Sequence, residues 1–215
     1  MRKYLVLAGN IGAGKSTLVG LLAKSLGFQA YYEPVAENPY LSDFYADMGR
    51  WALQSQLFFL TRRVKTHRAL MGDPLSVVQD RSLYEDAEVF ARNLYEQGAL
   101  SERDWSTYRE LYTTVADLLP PPDLVIYLRA SVPTLKKRIA RRGRDFEAAM
   151  PDEYLAGLNR LYEEWIDGFD RAPVLVVPGD RMDFVEGSSD FRTITATVAD
   201  RLRDKQGMLF PPGMA

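Results

Sequence analysis

Short apolar runs alternate with longer stretches of helical period along this chain. The runs fall at 3–8, 28–32, 75–79, 123–128 and 173–177, each bounded by turn-forming residues. Runs of that length with such flanks predict buried strands. Between them, the spacing of apolar positions predicts helices over 16–26, 39–47, 50–72, 83–97, 101–118, 132–141, 151–170 and 190–205. Alternation of this kind predicts an α/β fold, a five-stranded parallel sheet with helices on both faces. Pro120-Pro121-Pro122 stops the preceding helix before the fourth run. Proline lacks the amide that a helix interior needs, so this is a boundary between elements and not a linker between domains. No repeat or low-complexity tract interrupts the pattern. A single domain over 1–205 is expected, with a loosely held tail over 206–215 that carries Pro211-Pro212-Gly213.

Composition narrows the function classes. The chain has 215 residues, 47% of them hydrophobic and 26% charged, enough to bury one sizeable core. A formal net charge of -2 gives no general nucleic-acid-binding surface. The absence of cysteine excludes a disulfide framework, thiolate metal sites and a cysteine nucleophile, and fits a cytoplasmic protein. The N-terminal apolar run is too short for a signal peptide, and no stretch approaches the ~20 apolar residues of a membrane span. The single histidine, His67, falls among Arg and Lys on a helical segment and is read as a surface or packing residue.

The first apolar run leads directly into Gly9-Asn10-Ile11-Gly12-Ala13-Gly14-Lys15-Ser16, followed by the helical stretch that starts at Thr17. This fits G-x-x-x-x-G-K-[ST], the phosphate-binding P-loop, in the strand–loop–helix context that the motif requires. Glycines let backbone amides close around phosphate oxygens, and the helix N-terminus adds its positive dipole end. Lys15 is expected to reach the outer phosphates, and the Ser16 hydroxyl to ligate Mg2+.

Other constellations lie at the carboxyl ends of the expected strands, where such sheets bind ligands. Asp80-Arg81-Ser82 ends the third, offering an acid for Mg2+ opposite Ser16 and a guanidinium for phosphoryl charge. Glu33-Pro34 follows the second and offers a carboxylate able to take a proton from an attacking hydroxyl. Five of the seven residues from Lys136 to Arg142 are basic, ahead of Gly143-Arg144. There a mobile Arg-rich lid, about 139–150, could close over phosphates. Gln56, Phe59 and Arg63 share one face of the helix expected over 50–72. They suit either a core stripe or a base-reading surface, in which the amide hydrogen-bonds a base edge and a ring stacks on it.

Together these residues, in this order from Tyr4 to about Leu202, resemble the deoxynucleoside kinase family, the deoxyadenosine, deoxyguanosine and deoxycytidine kinases among them. The resemblance implies ATP-dependent phosphorylation of a nucleoside 5′-hydroxyl, with ATP and Mg2+ as cofactors, in deoxynucleotide salvage. It implies a triphosphate site made by Gly9, Asn10, Gly12, Ala13, Gly14, Lys15, Ser16 and Thr17 with Arg138, Arg142, Arg144, Asp183 and Phe184. Phe184 would lie against one face of the donor adenine and Arg138 near the other. Glu33 matches the general base, Arg81 the arginine beside it, and Ser16, Asp80 and Glu33 the metal-binding groups. Tyr45 and Glu147 match the pair at the sugar 3′-hydroxyl. Gln56 matches the base-binding glutamine, with Phe90 in the same subsite. Arg63 and Asp86 resemble the Arg–Asp pair of members that take adenine, guanine or cytosine nucleosides, which favours a purine deoxynucleoside, with deoxycytidine possible. Asp80 stands where several relatives have Glu, and its shorter arm favours a water-mediated metal contact. A homodimer is also implied.

A nucleoside monophosphate kinase of the thymidylate type shares the P-loop, the Asp-Arg pair and an Arg lid. It would need arginines for the acceptor phosphate where Glu33 places a repelling carboxylate. A non-catalytic structural subunit would have lost some of Lys15, Glu33 or Arg81, and all are present.

Overall fold

The alternation of side chains along a strand sorts the core of this protein into two. In the first strand, β1 (Tyr4–Ala8), every residue is buried. Tyr4, Val6 and Ala8 enter one hydrophobic cluster, and Leu5 and Leu7 enter another. In β4 (Leu124–Arg129), Val125 and Tyr127 join the first cluster while Leu124, Ile126 and Leu128 join the second. A strand apolar on both faces requires cover on both, and that is the arrangement of a parallel sheet layered between helices.

The computed structural model describes residues 2–32, 37–144, 147, 150–182, 184 and 188–204. The remaining strands are β2 (Gln29–Tyr31), β3 (Val77–Asp80) and β5 (Val174–Pro178). All pairings are parallel and the order is β2-β3-β1-β4-β5, so chain order reverses around β1. The carboxyl ends of β1, β3 and β4 therefore meet at the sheet's switch point. The helices are α1 (Lys15–Leu26), α2 (Leu41–Ala46), α3 (Met48–Gly72), α4 (Leu83–Glu85), α5 (Arg92–Glu96), α6 (Glu102–Ala116), α7 (Val132–Arg142), α8 (Asp152–Gly168) and α9 (Ser189–Asp204). The tail expected over 206–215 lies outside the described residues.

All five expected strands and eight expected helical segments are found, with no end moved by more than two residues. The helix expected from 50 begins at Met48, because the Asp47 side chain accepts the Arg50 N–H and caps it there. The helix expected over 83–97 is present but not uniform. Between α4 and α5 the stretch Asp86–Ala91 is π-helical, and Arg92 N–H donates to Ala87 O. Such wide turns are frequent at functional sites, and no periodicity in the apolar positions announces one.

His67 is not a surface residue: it is 1% exposed, on the inner face of α3, and meets the Tyr4 ring edge-on with centroids 5.4 Å apart. Burial pulls its pKa down from 6.5 to about 4, so the fold holds the imidazole neutral. The unfolded chain binds that proton more readily, so stability is lost as pH falls from about 6.5 to about 4. The slope in that window approaches one proton, about 1.4 kcal/mol per pH unit. His67→Leu is expected to flatten it, and urea unfolding of both proteins at pH 7 and pH 4.5 checks this.

Candidate functional site

The loop between β1 and α1 is folded as a cradle. Gly12 and Gly14 take φ of 82° and 100°, the left-handed region that a Cβ disfavours. A Cβ on Gly12 would stand 2.8 Å from Ile139 Cγ1 of α7, and one on Gly14 2.8 Å from Phe184 Cζ. The loop thus packs directly against the elements that carry the basic segment and the Phe184 ring. Lys15 is buried and its Nζ donates to Gly9 O (2.8 Å) and Asn10 O (3.0 Å), which folds the side chain back over the loop. Asn10 plays a scaffold part: its Nδ2 donates to Leu155 O (3.1 Å) and Asn159 Oδ1 (2.7 Å), fastening the loop to α8.

Across from the cradle, β3 delivers Asp80 and Arg81. Ser16 Oγ donates to Asp80 Oδ2 at 2.5 Å. Asp80 is 2% exposed and its other oxygen, Oδ1, is buried with no hydrogen-bond partner. A buried carboxylate oxygen left over beside a hydroxyl, at the mouth of a phosphate loop, fits a hard divalent cation that takes its other ligands from phosphate and water. Among the described residues no group of three His, Cys, Asp or Glu could hold a metal by itself, so the donor set suits Mg2+ arriving with a triphosphate.

Arg81 stands at φ 66°, the one described non-glycine residue with positive φ. That conformation costs on the order of 1–3 kcal/mol and persists only where neighbours fix it. Here Arg81 N–H donates to Leu7 O at 2.9 Å, and Arg63 Nη1 donates to Arg81 O and Asp80 O at 3.1 and 3.2 Å. The turn aims the guanidinium across the Phe90 ring, 4.1 Å from its centroid, with Nη2 reaching Gly9 O at 3.4 Å.

The cleft between these walls encloses about 490 Å³, within the usual range for a small-molecule site. Gly12, Gly14, Lys15, Ser16, Thr17, Asp80 and Arg81 line one end, and Tyr45, Gln56, Phe59, Asp86 and Phe90 the other. The π-helical stretch brings both Asp86 and Phe90 to it. Of the α3 stripe, Gln56 and Phe59 line the cleft. Arg63 does not line it; the side chain is 4% exposed and grips Asp86 from behind through two bonds of 3.1 and 3.2 Å. Gly9 and Ala13 also act as framework.

Arg138, Arg142, Arg144 and Glu147 also line the cleft. Arg138 donates to Ala13 O (2.9 Å) and Gly179 O (2.7 Å) and lies 5.8 Å over the Phe184 ring, making a slot between ring and guanidinium. Arg142 and Arg144 both pair with Glu147, at 2.5 and 3.4 Å. Glu33 and Asp183, named from the sequence as general base and adenine-loop residue, lie outside the described residues. Sequence reasoning did not name Leu41, Phe44, Arg141 or Tyr154 as site residues, and all four line the cleft; nor did it name Glu85, buried beside Arg81. Tyr154 sits in an amphipathic helix that reads as ordinary core, so no signal marked it.

A family model described as "Deoxynucleoside kinase" matches residues 5–203. The chain is 36% identical over 204 residues to a deoxyadenosine/deoxycytidine kinase of Bacillus subtilis, covering 94% of each chain. It is 36% identical over 208 residues to a deoxyguanosine kinase of Lactobacillus acidophilus, covering 93% of this chain and 91% of that one. The fold is similar to that of the deoxyadenosine kinase from M. mycoides solved with bound dATP. The TM-score is 0.82 at 32% identity, covering 92% of this chain and all of the other.

Proposed function

The chain belongs to the deoxynucleoside kinase family, and from that premise we propose that it transfers the γ-phosphoryl group of ATP to the 5′-hydroxyl of a purine deoxynucleoside, with deoxycytidine as a further substrate. The observation that carries this reading is one cleft with a phosphate cradle at one end and an amide, a carboxylate and aromatic rings at the other. Relatives at equal identity are named for different bases, so similarity alone does not choose one. The Arg63–Asp86 pair favours a base edge that both donates and accepts. Fixed by Arg63, the Asp86 carboxylate presents an acceptor to an exocyclic amine, and Gln56 supplies one donor and one acceptor beside it.

The residues take the following parts. Lys15 and the loop amides hold the outer phosphates. Ser16 and Asp80 hold Mg2+, which when bound neutralises phosphate charge. Glu33 accepts the 5′-hydroxyl proton as that oxygen bonds to phosphorus and the bond to the ADP oxygen breaks. Arg81, Arg142 and Arg144 offset charge on the moving group. Arg142 and Arg144 belong to the lid assigned to about 139–150, and the Arg138–Phe184 slot receives the donor base. Little covalent work is asked of the protein, so positioning and fixed charge do most of it. The family resemblance also supports a homodimer and a cytoplasmic setting. No described helix is long and apolar enough to cross a membrane.

Tyr45 and Glu147 face the same cleft. Holding a 3′-hydroxyl between them would crowd the 2′ position, so adenosine is expected to react more slowly than deoxyadenosine. The test is a panel of deoxynucleosides, adenosine, dAMP, dGMP and dTMP with labelled ATP and Mg2+. Product from deoxyadenosine or deoxyguanosine and none from the monophosphates is the expected result. Product from a monophosphate alone makes the protein a nucleotide kinase and removes the roles given to Glu33, Tyr45 and Glu147. Equal rates with adenosine and deoxyadenosine remove the 2′ argument.

A further inference from the structure

Glu85 has no exposed surface and does not line the cleft. At the third position of α4 it forms a capping box with Ser82: the Ser82 N–H donates to Oε2 at 2.8 Å. A capping glutamate at a surface helix end does no more than this. Here the other oxygen, Oε1, is also engaged. It accepts the Gly9 N–H at 3.2 Å and the Tyr162 hydroxyl at 2.8 Å, and stands 3.9 Å from Arg81 Nε. One buried carboxylate thus joins the first residue of the phosphate loop, the turn that carries Arg81, and α8, which Asn10 also holds to that loop.

Only a carboxylate satisfies this arrangement. Donors approach both oxygens, Ser82 N–H on one side and Gly9 N–H with the Tyr162 hydroxyl on the other. An amide has one acceptor oxygen and must aim its NH2 at one set of donors. Arg81, 5% exposed at the wall of the cleft, adds a largely buried cation that needs a countercharge. The strained backbone of Arg81 is fixed by Leu7 and Arg63; its guanidinium lies over Phe90 with Nη2 3.4 Å from Gly9 O, and Glu85 is the carboxylate beside it.

We propose that Glu85 is a positioning residue for the transfer step, holding the Arg81 guanidinium in register with the Gly9 end of the phosphate loop. This rests on the reading of Arg81 as the group that offsets charge on the moving phosphoryl. Glu85 does not line the cleft and meets the phosphate loop only at Gly9 N–H among the described contacts, so its loss acts mainly on kcat through Arg81 and leaves both KM values within about threefold.

Glu85→Gln, Arg81→Ala and the double variant are compared with the wild-type protein in single-turnover and steady-state assays with labelled ATP and the best deoxynucleoside. The expected result is a fall in kcat of about ten- to a hundredfold in Glu85→Gln, the range of a small misplacement. That fall should shrink to less than threefold when Arg81 is already alanine, because residues acting as a unit are not additive. An unchanged kcat in folded Glu85→Gln overturns the proposal, as does the same fall in the Arg81→Ala background. If Glu85→Gln does not fold, Tyr162→Phe replaces it, with a fall of threefold or more that is absent without Arg81; no fall overturns the proposal. Wild-type protein that phosphorylates no deoxynucleoside removes the kinase reading itself, and this inference with it.

Discussion

Replacing Lys15 with methionine is expected to lower kcat by about 10²–10³-fold, the loss seen when one preorganised donor to transition-state charge is removed, while the fold survives. The two halves of this expectation have separate grounds. Lys15 is buried and its Nζ donates to two carbonyls of the loop itself, Gly9 O and Asn10 O. Methionine keeps the stem's volume against α1 and the cradle. The cradle's glycines, its tether from Asn10 to α8 and its packing on Ile139 and Phe184 do not depend on the ammonium. What the ammonium alone provides is a positive charge that can leave those carbonyls for phosphate oxygens as charge grows on them. Because that charge grows most in the transition state, kcat should suffer more than the KM for ATP. Circular dichroism of the variant beside single-turnover transfer separates the halves. Near wild-type kcat in folded Lys15→Met would move the phosphate-binding role to the lid arginines.

The sequence told most about the parts of the site that depend on local spacing. A phosphate loop is written in eight consecutive residues, so Gly12, Gly14, Lys15 and Ser16 stand where the pattern put them. Asp80-Arg81 at a strand end was legible for the same reason, and their shared cleft with Gln56 and Phe59 follows from strand order. Glu85 was not legible. In sequence it is a capping-box glutamate, and its second role comes from Gly9 and Tyr162, 76 and 77 residues away. Helical spacing left Arg63 open between a core stripe and a base-reading surface; in the fold it is buried and paired with Asp86, which itself lines the cleft. Of the two readings of His67, surface or packing, the fold takes the second: its neighbours Arg and Lys are polar, but α3 turns His67 itself toward Tyr4.

Breaking the Arg63–Asp86 pair is expected to cost more stability than any other single change at this site. Both side chains are 4% exposed, and the guanidinium meets both carboxylate oxygens. Removing Asp86 leaves a buried cation against α3, and such losses run to about 3–5 kcal/mol. Arg63 Nη1 keeps its bonds to Asp80 O and Arg81 O, so in Asp86→Ala the guanidinium that has lost this carboxylate is held directly beneath the turn that aims Arg81. Replacing both partners, Arg63→Met with Asp86→Leu, removes the stranded charge and restores apolar packing. The double variant is therefore expected to be more stable than Asp86→Ala, as apolar substitutes for buried pairs often are. Stability and activity should then part company. The double variant regains fold but not phosphorylation of purine deoxynucleosides, because no carboxylate faces the base and no Arg63 fixes the Arg81 turn. Urea unfolding of the single and double variants, with kcat/KM for deoxyadenosine and deoxyguanosine, makes the comparison. A double variant as active as the wild-type protein would show that the pair serves the fold alone and that Gln56 reads the base without it.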